Sequence, residues 1–319
     1  MRLVRFRGAA DVAEAARVPA VVFASCPLCG ESRHRLVYDH PECGKIVDCT
    51  GCGLRYTKSR ARHSWAELRH AEPAPLPEVI LQKEVDQTAD YDAIVRALGE
   101  LGAAGRLLEL GCMTGHFLER AKEAGFAVTG LDPDVWATRY AVEHFGVDAR
   151  PQFLDQAGFA EDSFDVVAMF HTMEHLTQPV ETLREIHRVL RPGGLLAVEI
   201  PIIDAAAVRL LGPYHRHYVY DHTLFMTRRT AKELLASGGF QVVRTDVTGR
   251  HIRLGRLADV LGRVVPLAER PFRRGLQALR LEARRVHLNA RDVVRLYAVP
   301  LQPPPGAAPA RSKGSADGQ

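Results

Sequence analysis

The chain has 319 residues, 46% hydrophobic and 25% charged, with a net charge of +4 at pH 7. These proportions are ordinary for a folded globular protein, and the length allows about two domains. Collagen-like, coiled-coil and wholly disordered chains are excluded, and we find no run of the roughly 18 apolar residues that a membrane-spanning helix requires. Acidic residues interrupt the N-terminal stretch before it reaches the length of a secretion signal, so we expect a cytoplasmic protein.

Residues 1–24 are an N-terminal extension, in which Leu3–Phe6 has the pattern of a short strand. Two C-x-x-C pairs follow, with 19 residues between them: Cys26, Cys29, Cys49 and Cys52. This spacing is typical of a zinc ribbon, and four thiolates give Zn²⁺ a closed, structural site. We therefore predict a zinc ribbon over residues 25–58. His40 and Cys43 lie between the pairs and could replace a ligand, and disulfides or a ribbon that has lost its metal are the alternatives.

Residues 59–85 are rich in proline and predict a linker, and residues 301–319 predict a disordered tail. Between them, residues 86–300 alternate amphipathic helix patterns with short apolar runs. Predicted helices cover 91–101, 116–125, 133–146, 179–190 and 230–239, and predicted strands cover 106–111, 127–132, 164–170, 195–201, 240–249 and 291–299. This alternation predicts an α/β fold, an open parallel sheet with helices on both faces. Ligands of such sheets bind beyond the carboxyl ends of the strands.

The stretch LLELGCMTG predicts a strand that ends at Gly111 and a tight turn that leads through Gly115 into a helix. Glycines let the backbone approach a ligand, and the helix start offers free N–H groups. Asp132 ends the next strand, where a carboxylate can accept both ribose hydroxyls of a nucleoside. Met113 and His116 occupy the second and third glycine positions of a dinucleotide motif, which disfavours a pyrophosphate. S-adenosylmethionine, which has no phosphate, fits this turn better.

Five segments in this order resemble class I S-adenosylmethionine-dependent methyltransferases: LLELGCMTG, GLDPD, SFDVVAMFHTMEHL, HRVLRPGGLLAVEIP and LLASGGFQVV. The resemblance covers about residues 86–245. It implies a Rossmann-like, doubly wound and mostly parallel sheet of seven strands, here with a small zinc ribbon before it and a helical insert at 250–290. The departure from the family is Met113, where glycine is usual, and we expect it to narrow the methionine pocket without abolishing binding.

The resemblance also implies which residues contact the cofactor. The methionine end would be held by Glu109, Gly111, Met113 and Gly115. Asp132 would bind the ribose with Pro133 beside it, and Phe153 and Leu154 would flank the adenine. Phe170 and His171 would face both the methionine and the methyl acceptor.

Two histidines are candidate catalytic residues, His171 and His222. His171 follows the predicted strand 164–170, and an imidazole with a pKa near 6.5 suits proton removal from an acceptor. The alternative role for His171 is to hold its loop by hydrogen bonds, and we expect Glu174 and His175 to start the next helix. His171 to His175 also spell the H-x-x-E-H signature of some zinc proteases, but the stretch leaves a buried strand directly, which disfavours that interpretation. The segment around His222 resembles a family lid, with a structural cap as the alternative.

Residues 250–295 contain twelve arginines and four acidic residues. The apolar residues at 254–265 predict an amphipathic helix, and the stretch LQALRLEARRVHL predicts a second one at 276–288. Basic amphipathic helices can contact anionic lipid or an acidic carrier. The alternative is a helical cap with solvated arginines.

These patterns predict methyl transfer from S-adenosylmethionine to a small-molecule acceptor by direct displacement, with a hydroxyl of a sugar or natural-product intermediate as the first expectation. Transfer to nitrogen or carbon stays open, and the sequence does not indicate an oligomeric state. The alternatives are an RNA methyltransferase that uses the ribbon and the basic helices, although a nucleic-acid partner is not favoured, and a non-catalytic scaffold that kept the fold.

Overall fold

The computed structural model describes residues 23–40, 43–59 and 75–301. Its strands are β1 His34–His40, β2 Gly44–Cys49, β3 Arg55–Ser59, β4 Arg106–Leu110, β5 Ala127–Leu131, β6 Asp148–Arg150, β7 Phe164–Phe170, β8 Leu190–Pro201, β9 Leu224–Phe225, β10 Phe240–Arg253 and β11 Arg285–Pro300. Its helices are α1 Glu78–Asp86, α2 Thr88–Glu100, α3 His116–Glu123, α4 Val135–Phe145, α5 Pro179–Val189, α6 Ala206–Leu211, α7 Arg228–Ser237, α8 Leu254–Val264 and α9 Pro266–Ala278. The predicted Leu3–Phe6 strand, most of the extension and nearly all of the predicted tail lie outside the described residues.

Seven strands form the main sheet in the order β10-β11-β8-β7-β4-β5-β6. The pairings β4–β5, β4–β7, β5–β6 and β7–β8 are parallel, whereas β11 is antiparallel to both β8 and β10. Only β11 therefore runs against the others, and the predicted doubly wound, mostly parallel seven-stranded fold is confirmed. The carboxyl ends of β4, β5, β7 and β8 meet at one edge, where the site lies.

Strand β7 shows why the sheet is buried on both faces. Its sequence FDVVAMF is apolar at all but one position, as expected for a central parallel strand. Val167 and Met169 pack into the cluster on one face, and Val166 and Ala168 pack into the cluster on the other. The residues alternate because successive side chains of a strand point to opposite faces.

The cysteine segment is joined to the main domain by strand pairing. Strands β1, β2 and β3 form an antiparallel sheet whose fourth strand, β9, comes from the main domain. Tyr56 pairs with Leu224, and both side chains belong to the large core cluster of the molecule. The ribbon therefore packs as part of the main domain's own core.

Strands β10 and β11 continue past the edge of the sheet. Strand β11 pairs with β8 only over Val293–Ala298, but it also pairs with β10 over Arg285–Leu288. This two-stranded extension, residues 248–253 with 285–292, is called the arm here, and α8 and α9 connect its strands. No helix in the described ranges is long and apolar enough to cross a membrane.

Two details differ from the sequence-based prediction. The predicted linker 59–85 contains most of helix α1, and the Tyr91 hydroxyl of α2 donates to buried Glu84 of α1 at 2.8 Å. The second helix predicted at 276–288 is wrong, since α9 ends at Ala278 and β11 begins at Arg285. Residues 285–288, which also fitted a helical pattern, form a strand because their backbone pairs with β10.

Candidate functional site

The turn after β4 has the backbone that a closely bound ligand needs. Gly111 and Gly115 adopt φ values of +76° and +78°, which favour glycine. A Cβ at Gly111 would lie 2.2 Å from the Thr172 hydroxyl, so a larger residue does not fit there. Met113 adopts φ +45°, in the same left-handed region, with a side chain in place of the usual glycine hydrogen.

The Asp132 carboxylate closes this turn. It is 5% exposed, and it accepts the backbone N–H of Met113 at 2.9 Å and that of Asp134 at 2.8 Å. Burial raises its pKa to about 6. Each carboxylate oxygen keeps a second lone pair, so the group can also accept ribose hydroxyls.

Glu109 lies at the same edge with an unused oxygen. Its side chain is buried, and its Oε2 atom has no hydrogen-bond partner among the described residues. Burial, helped by the charges of Glu84 and Asp132, raises its pKa well above the ordinary range. A buried carboxylate without a donor is costly, and the ammonium of a methionine moiety would supply that donor. The residues present therefore fit S-adenosylmethionine.

The other predicted cofactor contacts border the same edge. Leu154 is buried and Phe153 is 38% exposed, and both follow β6. Pro133 comes directly after Asp132. Phe170 ends β7 and packs edge-on against Phe117 at 4.8 Å between ring centroids.

His171 has both ring nitrogens engaged. Nδ1 lies 3.0 Å from Glu174 Oε1, and Nε2 contacts the Arg250 guanidinium and lies 3.3 Å from Glu199 Oε1. Burial and then the Arg250 charge hold the His171 pKa well below its ordinary value. Because Arg250 covers the Nε2 lone pair, His171 here positions its neighbours, and its role as a base stays a prediction.

A buried ion-pair network lies behind His171. Arg250 and Arg295 bind Glu199 at 2.6 and 2.5 Å. Burial alone would raise the pKa of Glu199, but the two arginines lower it. Arg250 belongs to the arm, so this network fixes the arm against the site. Sequence reasoning missed it, although a glutamate inside the apolar strand LLAVEIP was a usable signal.

Glu174 and His175 form a short 3₁₀ turn, not the helix start predicted for them. With His222 they make a compact group, since one ligand atom of each lies within 4.8 Å of the others. Glu174 is 1% exposed, and burial raises its pKa to about 7. Burial lowers the pKa of His175, but hydrogen bonding to Asp221 outweighs this and raises it to about 9.

His222 differs from His171 because its Nδ1 atom is buried without a hydrogen-bond partner in the described structure. Burial and then the charge of His175 keep its pKa well below the ordinary value. Of the two candidate catalytic histidines, His222 is therefore the one with a free ring nitrogen. Its catalytic role stays a prediction.

Hydrogen bonds to backbone carbonyls hold His222 beside Glu174. The Thr223 N–H donates to the Glu174 carbonyl at 2.7 Å, and the Thr223 hydroxyl donates to the same oxygen at 3.0 Å. From the ribbon, the Thr57 hydroxyl donates to the His222 carbonyl at 3.1 Å. The ribbon therefore helps to hold the backbone of His222, through a contact between residues 165 positions apart.

The four predicted metal ligands lie together. The Sγ atoms of Cys26 and Cys52 are 3.5 Å apart, as are those of Cys29 and Cys49, and all four lie within 4.8 Å of one another. Tetrahedral zinc with bonds of about 2.3 Å needs sulfur separations near 3.8 Å. All six cysteines are described, and all are free thiols. The residues present fit a structural zinc ion.

The two spare residues of the ribbon lie outside this cluster. The His40 Nδ1 atom accepts the backbone N–H of Cys43 at 3.1 Å, within the β1–β2 hairpin. At the knuckle itself, the Gly51 N–H points to Cys49 Sγ at 3.3 Å, as expected where a thiolate needs backbone donors. Neither spare residue is therefore needed as a ligand.

The glycine turn, the ribose carboxylate and the sheet order together match a known family. A family model described as a methyltransferase domain matches residues 81–245, more than half of the chain. The chain belongs to this family. The class I S-adenosylmethionine-dependent methyltransferase type predicted from the motifs is confirmed.

Two curated relatives of this methyltransferase have different named activities. A tRNA U34 carboxymethyltransferase of Methylococcus capsulatus is 27% identical over 208 residues, covering 62% of this chain and 63% of the relative. A ubiquinone biosynthesis O-methyltransferase of a Methylobacterium species is 29% identical over 183 residues, covering 52% and 72%. The match thus spans less than two thirds of the first relative's length.

A solved structure shows the same fold. A chain from the complex of the Haloferax volcanii Trm112 methyltransferase activator with a methyltransferase aligns with a TM-score of 0.52 and 15% identity. The alignment covers 76% of this methyltransferase and all of that chain.

Proposed function

We propose that this methyltransferase transfers a methyl group from S-adenosylmethionine to a hydroxyl of a small-molecule acceptor, by direct displacement. The observation that carries the proposal is the Glu174, His175 and His222 group, which offers unpartnered polar atoms beside the cofactor turn. The Thr172 hydroxyl joins the two regions, because it donates to the Leu110 carbonyl at 3.0 Å. The O-methyltransferase name of one relative supports the choice of oxygen.

In this proposal the chain's residues bind and align. Asp132 and Glu109 hold the ribose and the ammonium, and the turn at Gly111 wraps the methionine end. The cofactor supplies an electrophilic methyl on a positively charged sulfur, so alignment provides much of the rate, up to about 7–11 kcal/mol in favourable cases. The acceptor hydroxyl approaches from the Glu174, His175 and His222 group and must lose its proton as the O–CH₃ bond forms.

Mass spectrometry of reactions with S-adenosylmethionine and a panel of phenols, sugars and hydroxylated metabolites tests this proposal. The wild type is expected to give an O-methylated product. The Glu174→Gln variant is expected to lose turnover while S-adenosylmethionine still binds, and His144→Ala, at an exposed site on α4, is expected to behave as the wild type. Product methylated only on nitrogen or carbon contradicts the choice of acceptor, and cofactor binding without turnover on any acceptor favours the scaffold alternative.

RNA is the second candidate acceptor, and the arginine-rich insert favours it. Four arginines near α9 are exposed and make no ion pair with any described residue: Arg270, Arg274, Arg280 and Arg284. One relative is named as a tRNA enzyme. RNA binding predicts an affinity that falls steeply with salt and drops further in an Arg270→Glu, Arg274→Glu double variant. Absence of tRNA binding at low salt contradicts this candidate. Contact of the insert with an anionic membrane or acidic carrier stays a prediction.

A further inference from the structure

The Glu174, His175 and His222 group contains two buried acceptor atoms without donors. Glu174 Oε2 and His222 Nδ1 have no hydrogen-bond partner among the described residues, yet one ligand atom of each residue lies within 4.8 Å of the others. A buried polar atom without a hydrogen-bond partner destabilises the folded protein. Two such atoms in one group are explained if a positive charge lies between them.

The hydrogen bonds around the group leave each of its three residues with one further ligand atom. His175 Nδ1 lies 3.0 Å from both the carbonyl and the carboxylate of Asp221, which leaves Nε2 free to bind. The His222 Nδ1 atom has no hydrogen-bond partner among the described residues. Glu174 Oε1 is held by His171, which leaves Oε2. Such outer partners fix the tautomer and orientation of metal ligands.

We propose that Glu174, His175 and His222 bind one divalent transition-metal cation, such as Zn²⁺, Mn²⁺ or Co²⁺. Two imidazole nitrogens and one carboxylate oxygen suit these ions and leave positions open for another ligand. The cation takes the place of the inward proton on the His175 ring. His222 Nδ1 then serves as a metal ligand rather than as the base.

The role of this cation rests on the proposed function. The acceptor hydroxyl fills an open position, and the cation lowers the pKa of that hydroxyl, as bound zinc lowers that of water from about 16 to about 7. The O–H bond breaks with its proton leaving to solvent, the O–CH₃ bond forms, and the S–CH₃ bond breaks with its electron pair staying on sulfur. The metal keeps its charge throughout, so no oxidant or reductant is needed.

A second cluster of possible metal ligands lies nearby, but it does not need a metal ion. His215, His217 and Asp292 are also close and buried. However, Asp292 Oδ2 already accepts from Arg216 at 2.9 Å and lies 3.1 Å from His217 Nε2. The His215 Nδ1 atom accepts the His217 N–H at 3.3 Å. This cluster is satisfied by its own hydrogen bonds, whereas the first one is not.

The test uses the full chain with zinc already bound. Mn²⁺ titrations followed by electron paramagnetic resonance report the nitrogen and oxygen site, because thiolates retain the softer Zn²⁺. One additional equivalent of Mn²⁺ is expected to bind the wild type. Loss of a residue that hydrogen-bonds a metal ligand lowers metal affinity by about 10–100-fold, so we expect Asp221→Asn to lower the Mn²⁺ affinity within that range. The ligand variants Glu174→Gln and His222→Ala should lower it by more than that. His144→Ala is the matched control and is expected to bind as the wild type.

Cofactor calorimetry separates this inference from the proposed function. Glu174→Gln is expected to bind S-adenosylmethionine normally, which shows that it folds. Failure of the wild type to bind an additional cation, or unchanged binding in Glu174→Gln and His222→Ala, overturns the metal site. If the wild type binds the additional cation and the two variants do not, the metal site is supported. If the wild type also methylates no hydroxyl, the proposed function is contradicted while the metal site stands. Full turnover by protein freed of the second cation overturns its catalytic role.

Discussion

At the scale of single residues, Met113 is the clearest departure from the family turn. Its φ of +45° lies in the left-handed region, which costs a residue with a side chain about 1–2 kcal/mol. Its backbone N–H nevertheless donates to Asp132, so the turn is made despite the strain. The backbone contact, which does not depend on the side chain, explains why methionine is tolerated.

Met113→Gly is expected to stabilise the protein by up to about 1 kcal/mol, since relief of strain exceeds the extra entropy of glycine in the unfolded chain. Thermal unfolding of the two proteins measures the change, and S-adenosylmethionine should bind at least as tightly. Gly125→Ala, at a φ of +95°, is the opposite change in the next turn and should destabilise. A lower unfolding temperature for Met113→Gly contradicts the strain argument.

Cofactor affinity is expected to depend on the charge of Asp132. Its pKa is raised to about 6 by burial, and only the ionised form accepts both ribose hydroxyls. The contribution of Asp132 to the affinity should therefore be constant above about pH 6 and fall by about tenfold per pH unit below it. Calorimetric titration with S-adenosylmethionine across this range measures the slope.

Asp132→Asn is the control for that pH profile, because the amide has nearly the same shape and does not titrate. Asp132→Asn should bind S-adenosylmethionine more weakly, and its affinity should show no change of slope near pH 6. Glu109, whose pKa burial also raises, is the same in both proteins. The same slope in Asp132→Asn would assign the titration to another group.

At the scale of elements, strand β3 connects the ribbon to the main domain. It completes the ribbon, and through β9 it fixes the backbone on which His222 lies. Thr57→Val removes one hydroxyl donor and keeps the shape and the backbone N–H, so the expected loss of stability is about 1 kcal/mol.

The same variant should raise the KM for the acceptor and leave S-adenosylmethionine affinity unchanged. Steady-state kinetics and calorimetry measure the two effects. Thr182→Val, which removes an exposed hydroxyl contact within α5, is the matched control. Equal changes in acceptor KM and cofactor affinity would show that β3 supports the whole fold rather than the acceptor side.

At the scale of the whole molecule, the ribbon joins the main domain through the β3–β9 pairing and the shared core, and its Thr57 hydroxyl holds the His222 carbonyl. Removing zinc with a chelator is expected to loosen β1 to β3 and the β3–β9 pairing, because zinc binding and folding of small metal domains are coupled. Methyl transfer should then be lost before cofactor affinity. Cys49→Ser should reproduce the loss, and Cys112→Ser, outside the ribbon, should not change the zinc content. Full activity in chelated, zinc-free protein contradicts this coupling.

The sequence by itself determined the fold class, the cofactor turn and the cysteine cluster. Each depends on short-range information: the alternation of apolar runs, the glycines around Met113, the carboxylate at Asp132 and two C-x-x-C pairs. Local backbone preference and hydrophobic periodicity act within a few residues, so these features can be derived from the residue order alone.

Only the tertiary structure decided what surrounds the candidate catalytic histidines. Arg250 meets His171 across 79 positions, and Thr57 meets His222 across 165. The second predicted helix of the insert became a strand because β10 offered backbone partners that a local pattern cannot represent. Long-range pairing and burial assign these polar residues their neighbours, and those neighbours turn Glu174, His175 and His222 into a candidate metal site.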